Sequence, residues 1–195
     1  MPSDRQILEC ELLVVQFKRG DASAFEAIVR MWERSLFYYL RRLASSEQDA
    51  WDLLQETWLK TYRALGSLRD PRSLPAFLYT TARNTAVSCL RNGKLGREMT
   101  GPLDEDSIES PGDDVAVYDS AEHVNRALDR LPLRHREILT LYFLQDLSHE
   151  EIASLLGIPL GTVKSRLHYA KLAIQKILLE GDPSCPMTLR ASANS

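Results

Sequence analysis

Residues 148–171 have the sequence SHEEIASLLGIPLGTVKSRLHYAK, and this stretch decides the fold of the C-terminal part of the chain. Ser148 can cap a helix, because its hydroxyl accepts from a first-turn amide while Glu151 reaches back to the amide of Ser148. Gly157 tolerates the left-handed backbone that ends a helix, and Pro159 cannot donate a backbone hydrogen bond. The stretch therefore predicts two short helices joined by a tight turn.

The second of these helices, which we expect to begin near Gly161, is basic on its outer face. Val163 and Leu167 lie one turn apart and are predicted to face inward. The outward positions include no acidic residue; they are Thr162, Lys164, Ser165, Arg166, His168, Tyr169 and Lys171. Cations neutralise DNA phosphates, and one helix fits the major groove, where such donors reach base edges. The capped helix and the turn favour a DNA-binding helix-turn-helix over an ordinary solvated basic helix.

The composition is that of a globular protein with a real core. Of 195 residues, 44% are hydrophobic, and this length favours two small domains. No apolar run approaches the roughly 18 residues of a membrane helix. The N-terminus carries charges where a signal peptide has an apolar core, so we expect a cytoplasmic protein without membrane insertion.

The acidic residues are concentrated in one segment. The net charge is −3, which at first sight argues against a nucleic-acid-binding protein. Residues 97–120, however, hold eight acidic residues and one basic residue, and the rest of the chain has 23 basic and 19 acidic residues. This segment also contains glycines and prolines without an apolar period, which predicts a flexible linker.

Helical periodicity dominates on both sides of the linker, and no alternating strand pattern is present, so we predict an all-α fold. The expected domains are a helical domain in residues 1–96 and a helix-turn-helix domain in residues 121–180, followed by a disordered tail in residues 181–195. Within them the periodicity predicts helices at residues 25–43, from the cap Ser46 to Gly66, and at 76–91, 121–131 and 134–144.

The N-terminal domain offers two further candidate surfaces. The helix after Ser46 has a polar face with Asp49, Asp52, Gln55 and Glu56, opposite an apolar face that we expect to contain Trp51, Leu54, Trp58, Leu59, Tyr62 and Leu65. The loop 67–74 carries two arginines. The helix 76–91 has no acidic residue and offers Tyr79, Thr80, Arg83 and Asn84, which makes it a second candidate nucleic-acid surface.

The sequence contains no recognisable catalytic, phosphate-binding or metal-binding motif. The four histidines are scattered, there is no Ser/His/Asp set, and there is no glycine-rich phosphate loop. The three cysteines, Cys10, Cys89 and Cys185, are widely spaced and fit neither a disulfide framework nor a zinc motif. We therefore expect no enzyme activity, no cofactor and no metal.

Three stretches in this order resemble an extracytoplasmic-function sigma factor, a short member of the sigma-70 family of RNA polymerase specificity subunits. They are DLLQETW at 52–58, FLYTTARNTAVSCLR at 77–91 and LDRLPLRHREILTLYFLQDLSHEEIASLLGIPLGTVKSRL at 128–167. The resemblance covers roughly residues 20–179. It implies a sigma region 2-like domain, which binds the minus-ten element, and a region 4-like domain, which binds the minus-thirty-five element. The implied partners are promoter DNA and core RNA polymerase, through the clamp helices of its largest subunit and the flap of its second largest subunit. An anti-sigma factor is a further candidate partner.

The resemblance also implies roles for individual residues. Those matching the polymerase-docking motif are Asp49, Asp52, Leu53, Gln55, Glu56 and Trp58. Those matching the part that recognises and melts the downstream element are Ser67, Leu68, Arg69, Tyr79, Arg83 and Asn84. Those matching the readers of the upstream element are Lys164, Ser165, His168 and Tyr169, with Thr162 beside them and Arg166 and Lys171 placed for phosphates. Tyr169 stands where arginine is common in the family, and Ser88 where aspartate is common.

Two other classes of function compete with this interpretation. A stand-alone helix-turn-helix regulator would bind duplex DNA without polymerase and would not open it. An interaction module that sequesters another factor would not need Lys164 or Arg166. The helices that contain Gln55 and Arg83 have no role in a simple repressor, so the sequence favours the sigma factor.

Overall fold

The computed structural model of the chain describes residues 4–91 and 121–181, and these residues are helical without any strand, as predicted. The N-terminal block consists of α1 (Asp4–Lys18), α2 (Ala22–Leu43), α3 (Glu47–Leu65), a 3-10 turn (Pro71–Ser73) and α4 (Leu74–Arg91). The C-terminal block consists of α5 (Ala121–Asp129), α6 (Leu133–Leu139), a π-helical turn (Thr140–Leu144), α7 (His149–Leu156) and α8 (Leu160–Gly181). The predicted linker 97–120 and the predicted tail beyond Gly181 lie outside the described residues.

Helix α2 is the centre of the N-terminal block. Its buried face recurs every three to four residues and includes Ile28, Trp32, Leu36 and Leu40. Asp21 begins the helix, because its carboxylate accepts from the Ser23 amide at 3.0 Å. Helices α1, α3 and α4 all pack against α2. The block therefore buries one stripe of α2 among three neighbours.

Helix α3 begins where the sequence predicts. The Ser46 hydroxyl accepts a hydrogen bond from the Asp49 amide at 3.0 Å, and the helix ends at Gly66. Three apolar side chains that we assigned to its buried face are instead exposed: Trp51, Leu59 and Tyr62. The buried stripe runs through Leu53, Leu54 and Leu65, rotated from the predicted one.

Helix α1 is an element that the sequence did not predict. Its inner face is small: Cys10 and Val14 are buried against the core, while Leu8 and Leu12 are exposed. Apolar residues on both faces weaken the periodic signal that marks an amphipathic helix. The helix is therefore stabilised by packing against α2 and the 3-10 turn, which its own sequence pattern does not reveal.

The helix-turn-helix predicted from residues 148–171 is confirmed in its local geometry. The Glu151 amide donates to the Ser148 hydroxyl at 3.2 Å, and the Ser148 amide donates to the Glu151 carboxylate at 2.8 Å, which completes a capping box. Gly157 ends α7 in the left-handed region, at φ 67° and ψ 36°. The helix predicted for residues 134–144 is interrupted, since α6 passes into the π-helical turn at Thr140.

The two blocks pack directly on each other and share one apolar core. Helix α2 contacts α6, and α4 contacts α7. Polar pairs surround this contact: the Arg42 guanidinium lies 2.8 Å from the Asp129 carboxylate, and the Tyr38 hydroxyl donates to the Asn125 amide oxygen at 2.6 Å. The two-domain arrangement predicted from the sequence thus takes a closed form in this structure.

Gly157→Ala tests the helix-ending turn, with Gly66→Ala as the matched control. At both positions an added Cβ meets no atom within 4 Å, so only the backbone conformation differs. The left-handed conformation of Gly157 costs an L-residue about 1–2 kcal/mol, whereas Gly66 is right-handed, where alanine is neutral or stabilises by about 0.4–1 kcal/mol. Urea denaturation measures both free energies of unfolding. Equal losses for the two variants would contradict this assignment of the turn.

Candidate nucleic-acid and polymerase interfaces

The N-terminal half of α8 presents the predicted DNA-reading face to solvent. Val163 and Leu167 are buried against the C-terminal core, as predicted. The side chains exposed on the opposite face are Lys164, Ser165, His168, Tyr169 and Lys171, and Thr162 is half-buried. Buried packing on one side thus fixes the direction in which the candidate base-reading side chains point.

Arg166, which we predicted on the outward face, is only partly exposed there. The residue is half-buried, and its Nε atom is buried without a hydrogen-bond partner among the described residues. Burial lowers the pKa of Arg166, and the negative charge of Glu137 opposes that shift.

Aromatic rings lie on the reading face and beside it. The His168 and Tyr169 rings are 5.5 Å apart in an edge-to-face arrangement. The Lys171 Nζ atom lies 5.4 Å from the centre of the Tyr142 ring and 5.3 Å from that of the exposed Phe143 ring. Cation–π attraction therefore holds the Lys171 ammonium near the π-helical turn.

The second candidate surface, on α4 and the preceding loop, is partly covered. Ser67, Arg69 and Asn84 are exposed, and Leu68 is half-buried against the core. Arg83, however, donates to the Glu137 carboxylate of α6 at 3.0 Å. The loop part of this surface is thus exposed to solvent, whereas the middle of α4 contacts the C-terminal block through Arg83.

Tyr79 is the clearest correction on α4. We expected it at the surface, but it is 2% exposed, its ring packs edge-on against Trp32 and Tyr39, and its hydroxyl donates to the Gln145 amide oxygen. Burial raises the pKa of Tyr79 well above its ordinary value, so the phenol stays protonated and able to donate. The sequence could not reveal this, because Gln145 belongs to the other block.

The third candidate surface lies on α3. Asp52 and Gln55 are exposed, and Asp49, Glu56 and Trp58 are half-buried. Glu56 forms an ion pair with Lys60 at 2.7 Å. Leu53, which the docking motif placed on this surface, is instead 2% exposed and belongs to the core.

Exposed apolar side chains extend the α3 surface beyond the residues predicted for it. Leu59 is 59% exposed, and Trp51 and Tyr62 are also exposed. With Gln55 they follow the helical spacing 51, 55, 59 and 62, which places them along one side of α3. Aromatic and aliphatic side chains on an otherwise polar helix are typical of protein interfaces. This spacing was visible in the sequence, but we assigned those residues to the core.

Two further kinds of site were sought within residues 4–91 and 121–181. No group of histidine, cysteine and carboxylate side chains there could hold a metal ion. Among these helices, none combines the length and the apolar character needed to span a membrane.

Comparison with known proteins matches both blocks. The family model of Sigma-70 region 2 matches residues 28–95, and that of Sigma-70, region 4 matches residues 122–174. The chain is 33% identical over 181 residues to the RNA polymerase sigma-H factor of Pseudomonas aeruginosa, covering 85% of this chain and 92% of that protein. It is 32% identical over 177 residues to the ECF RNA polymerase sigma-E factor of Escherichia coli strain K12, covering 84% of this chain and 91% of that protein.

A solved structure shares the arrangement of helices. The sigma factor RpoE from Bartonella quintana, in complex with the anti-sigma factor NepR, aligns with a TM-score of 0.62 and 30% identity, over 81% of this chain and 98% of that chain.

The fold, the basic reading helix and these matches define a promoter-recognition subunit of bacterial RNA polymerase. The chain belongs to the sigma-70 family, and within it to the extracytoplasmic-function sigma factors. It binds core RNA polymerase and directs promoter-specific initiation of transcription.

Lys164→Ala and Leu167→Ala separate the two faces of the reading helix. Lys164 is exposed, so its loss should change the free energy of unfolding by less than about 0.5 kcal/mol. Leu167 is buried, so its truncation should cost about 2–5 kcal/mol. Thermal and urea denaturation measure both. A large loss of stability for Lys164→Ala would show that the helix is rotated from the described orientation.

Proposed function

We propose that three surfaces of this sigma factor divide the work of initiation: α8 reads the upstream promoter element, α4 with its preceding loop opens the downstream element, and α3 docks on core polymerase. The observation that carries this division is the exposed face of α8, where five polar or basic side chains stand opposite a buried apolar stripe. A helix of this kind fits the major groove of duplex DNA.

At the upstream element, the exposed face divides into base readers and phosphate contacts. Lys164, Ser165, His168 and Tyr169 present donors that can reach base edges, and Lys171, with Thr162 at the start of the helix, is placed for the backbone. Tyr169 offers one hydroxyl and a ring, whereas a guanidinium offers a bidentate fork. The upstream sequence preferred by this chain is therefore expected to differ at the position that Tyr169 contacts.

At the downstream element, the loop and α4 supply groups suited to a separated strand. Ser67 and Arg69 are exposed beside α4, and Asn84 is exposed on it. A displaced strand needs cations along its backbone and polar or flat surfaces for unstacked bases. Arg83 is engaged by Glu137 of the C-terminal block, and the Tyr79 ring is buried against Trp32 and Tyr39 of its own block, so neither belongs to the exposed part of this surface.

On α3, the polymerase-docking surface combines acidic and apolar side chains. Asp52 and Gln55 are exposed, and Leu59 and Tyr62 extend the surface along the helix. Carboxylates steer a basic partner, and the apolar side chains lose water on contact. We assign the clamp helices of the largest polymerase subunit to this face, and the flap of the second largest subunit to the C-terminal block.

Two further properties belong to the same proposal. The chain acts in the cytoplasm without catalytic chemistry of its own, since its contribution is binding and strand separation. An anti-sigma factor is a further candidate partner, because the Bartonella quintana sigma factor of similar fold was solved with one.

Gln55→Ala combined with Glu56→Ala tests polymerase docking. We expect affinity for core polymerase to fall about tenfold, which corresponds to about 1.4 kcal/mol, because both contacts lie on the docking face. The matched control is Glu26→Ala with Glu33→Ala, two exposed residues of α2. Co-elution and fluorescence titration with core polymerase measure the effect. Unchanged affinity for core polymerase in the double variant would contradict the docking role of this face.

Lys164→Ala and His168→Ala test upstream reading, with Lys176→Ala as the control because Lys176 is exposed farther along the same helix. Each lost base contact should weaken the binding free energy for the upstream element by about 1–3 kcal/mol. Run-off transcription from a mapped promoter with an intact upstream element should fall accordingly. Transcription from the same promoter with a scrambled upstream element should change little. Equal losses on both templates would mean that these side chains bind phosphates only.

A further inference from the structure

The two arginines of the loop 67–74 have different surroundings. Arg69 is exposed and belongs to the proposed strand-opening surface. The Nε atom of Arg72 instead donates to the carboxylate of Glu11 on α1, with its two oxygens at 3.3 Å and 3.4 Å. Helix α1 belongs to none of the three proposed surfaces. One loop cation is thus paired with the protein itself, while the other is available to DNA.

A second side chain of α1 reaches the same loop. Lys18, the last residue of α1, donates from its ammonium group to the carbonyl oxygen of Leu68. This carbonyl belongs to the peptide group that joins Leu68 to Arg69, and in a trans peptide the N–H points opposite to the C=O. Lys18 therefore orients this peptide group, with the amide hydrogen of Arg69 directed away from Lys18.

Helix α1 is itself anchored in the N-terminal block. Cys10 and Val14 are fully buried in the core. The Phe17 ring, which precedes Lys18 in the chain, lies 5.8 Å from the Phe25 ring of α2 and packs edge-on against the Tyr62 ring of α3 at 5.5 Å. The 3-10 turn packs directly on α1. The helix is therefore a fixed element beside the loop.

Hydrogen bonds within the loop hold its two ends. The Ser67 hydroxyl donates to the Ala64 carbonyl oxygen at 2.7 Å, and the Arg72 amide donates to the Asp70 carboxylate at 3.0 Å. The peptide group that Lys18 contacts lies between these two bonds. A loop whose middle were free would lose more conformational entropy when it becomes ordered on DNA.

We propose that the contacts from Lys18 and Glu11, called the α1 contacts below, hold the loop 67–74 in the form that presents Arg69 to the separated strand. This inference rests on the proposed function of the loop. Lys18 acts through the loop backbone, and Glu11 acts through the second loop arginine, so both are positioning residues. The α1 contacts raise the fraction of chain that is ready to bind, which raises the apparent affinity for the strand.

The α1 contacts and simple electrostatics predict opposite signs for Glu11→Gln. If charge alone decides, removing a negative charge and releasing Arg72 should strengthen binding to a polyanion. If the α1 contacts position the loop, binding of the separated strand should weaken about two- to fivefold, the size expected for loss of an exposed ion pair. Glu9→Gln is the matched control, because Glu9 is exposed on the same helix and carries the same charge.

A double-mutant cycle tests whether Glu11 acts through Arg72. In the Arg72→Gln background, the partner of Glu11 is already absent. Glu11→Gln should then no longer weaken binding of the strand, because only its effect on charge remains.

The Lys18 contact is tested with a conservative replacement. Lys18→Met removes the donor and keeps an unbranched side chain, whereas Lys18→Arg retains a cationic donor. Arg19→Met is the matched control, because it removes a neighbouring exposed positive charge. Lys18→Met should weaken binding of the strand more than Arg19→Met does, and Lys18→Arg should keep most of the wild-type affinity.

Binding is measured on holoenzyme assembled from core polymerase and each full-length variant. Fluorescence anisotropy gives the affinity for a labelled single strand that spans the downstream element of a mapped promoter, and for the same strand with a scrambled element. Glu11→Gln and Lys18→Met should lower the ratio of the two affinities. Duplex DNA that carries only the upstream element should bind as in the wild type. Circular dichroism melting of each free variant confirms that it is folded.

Arg69→Ala distinguishes failure of the α1 contacts from failure of the proposed function. If Arg69→Ala leaves binding of the downstream strand unchanged, the proposed role of the loop is wrong and the α1 contacts have no function there. If Arg69→Ala weakens binding while Glu11→Gln binds at least as tightly as Glu9→Gln, the positioning role of Glu11 is overturned. A loss in Glu11→Gln that persists without Arg72 overturns the link between these two residues.

Discussion

The burial of the Glu137 carboxylate between the two blocks is the constraint on which the described structure depends. Glu137 lies on α6, which packs against α8, and it accepts from Arg83 on α4 and Tyr39 on α2. Desolvation and the adjacent carboxylate both raise the pKa of Tyr39, so its hydroxyl remains a donor. One side chain of α6 thereby links α4 and α2, the centre of the N-terminal block. Removing one partner of such a buried pair typically costs about 3–5 kcal/mol.

Apolar contacts within and between the two blocks, together with polar pairs around the contact between them, stabilise the described structure. Each block buries its own periodic apolar stripe, as with Ile28 and Leu36 in α2 or Val163 and Leu167 in α8. Between the blocks, ion pairs and hydrogen bonds contribute much of the specific contact. Water and DNA phosphate can compete for those groups, whereas neither can replace an apolar core. The two blocks also share one apolar cluster, so separating them would expose apolar side chains as well as break the polar pairs.

The sequence predicted the local features well because their causes are local. The Ser148 capping box, the left-handed Gly157 and the Ser46 cap each depend on residues within one turn of the chain. The burial of Val163 and Leu167 followed from helical spacing. The errors concern side chains whose surroundings come from distant residues: Tyr79 is buried partly by Gln145, and Arg166 is half-buried. On α3 the buried stripe is rotated from the predicted one, so Leu53, predicted at the surface, is buried and Leu59, predicted in the core, is exposed. Helix α1 was not predicted because its apolar residues lie on both faces.

The distance between the two blocks, measured in the free chain and on core polymerase, tests the central claim most directly. Spin labels at exposed Ser45 and Arg130, which flank the Arg42–Asp129 ion pair, report this distance in a chain whose three native cysteines are replaced. We predict a short, narrow distance distribution in the free chain and a longer one after core polymerase is added. A long, broad distribution in the free chain, unchanged by polymerase, would contradict the closed form.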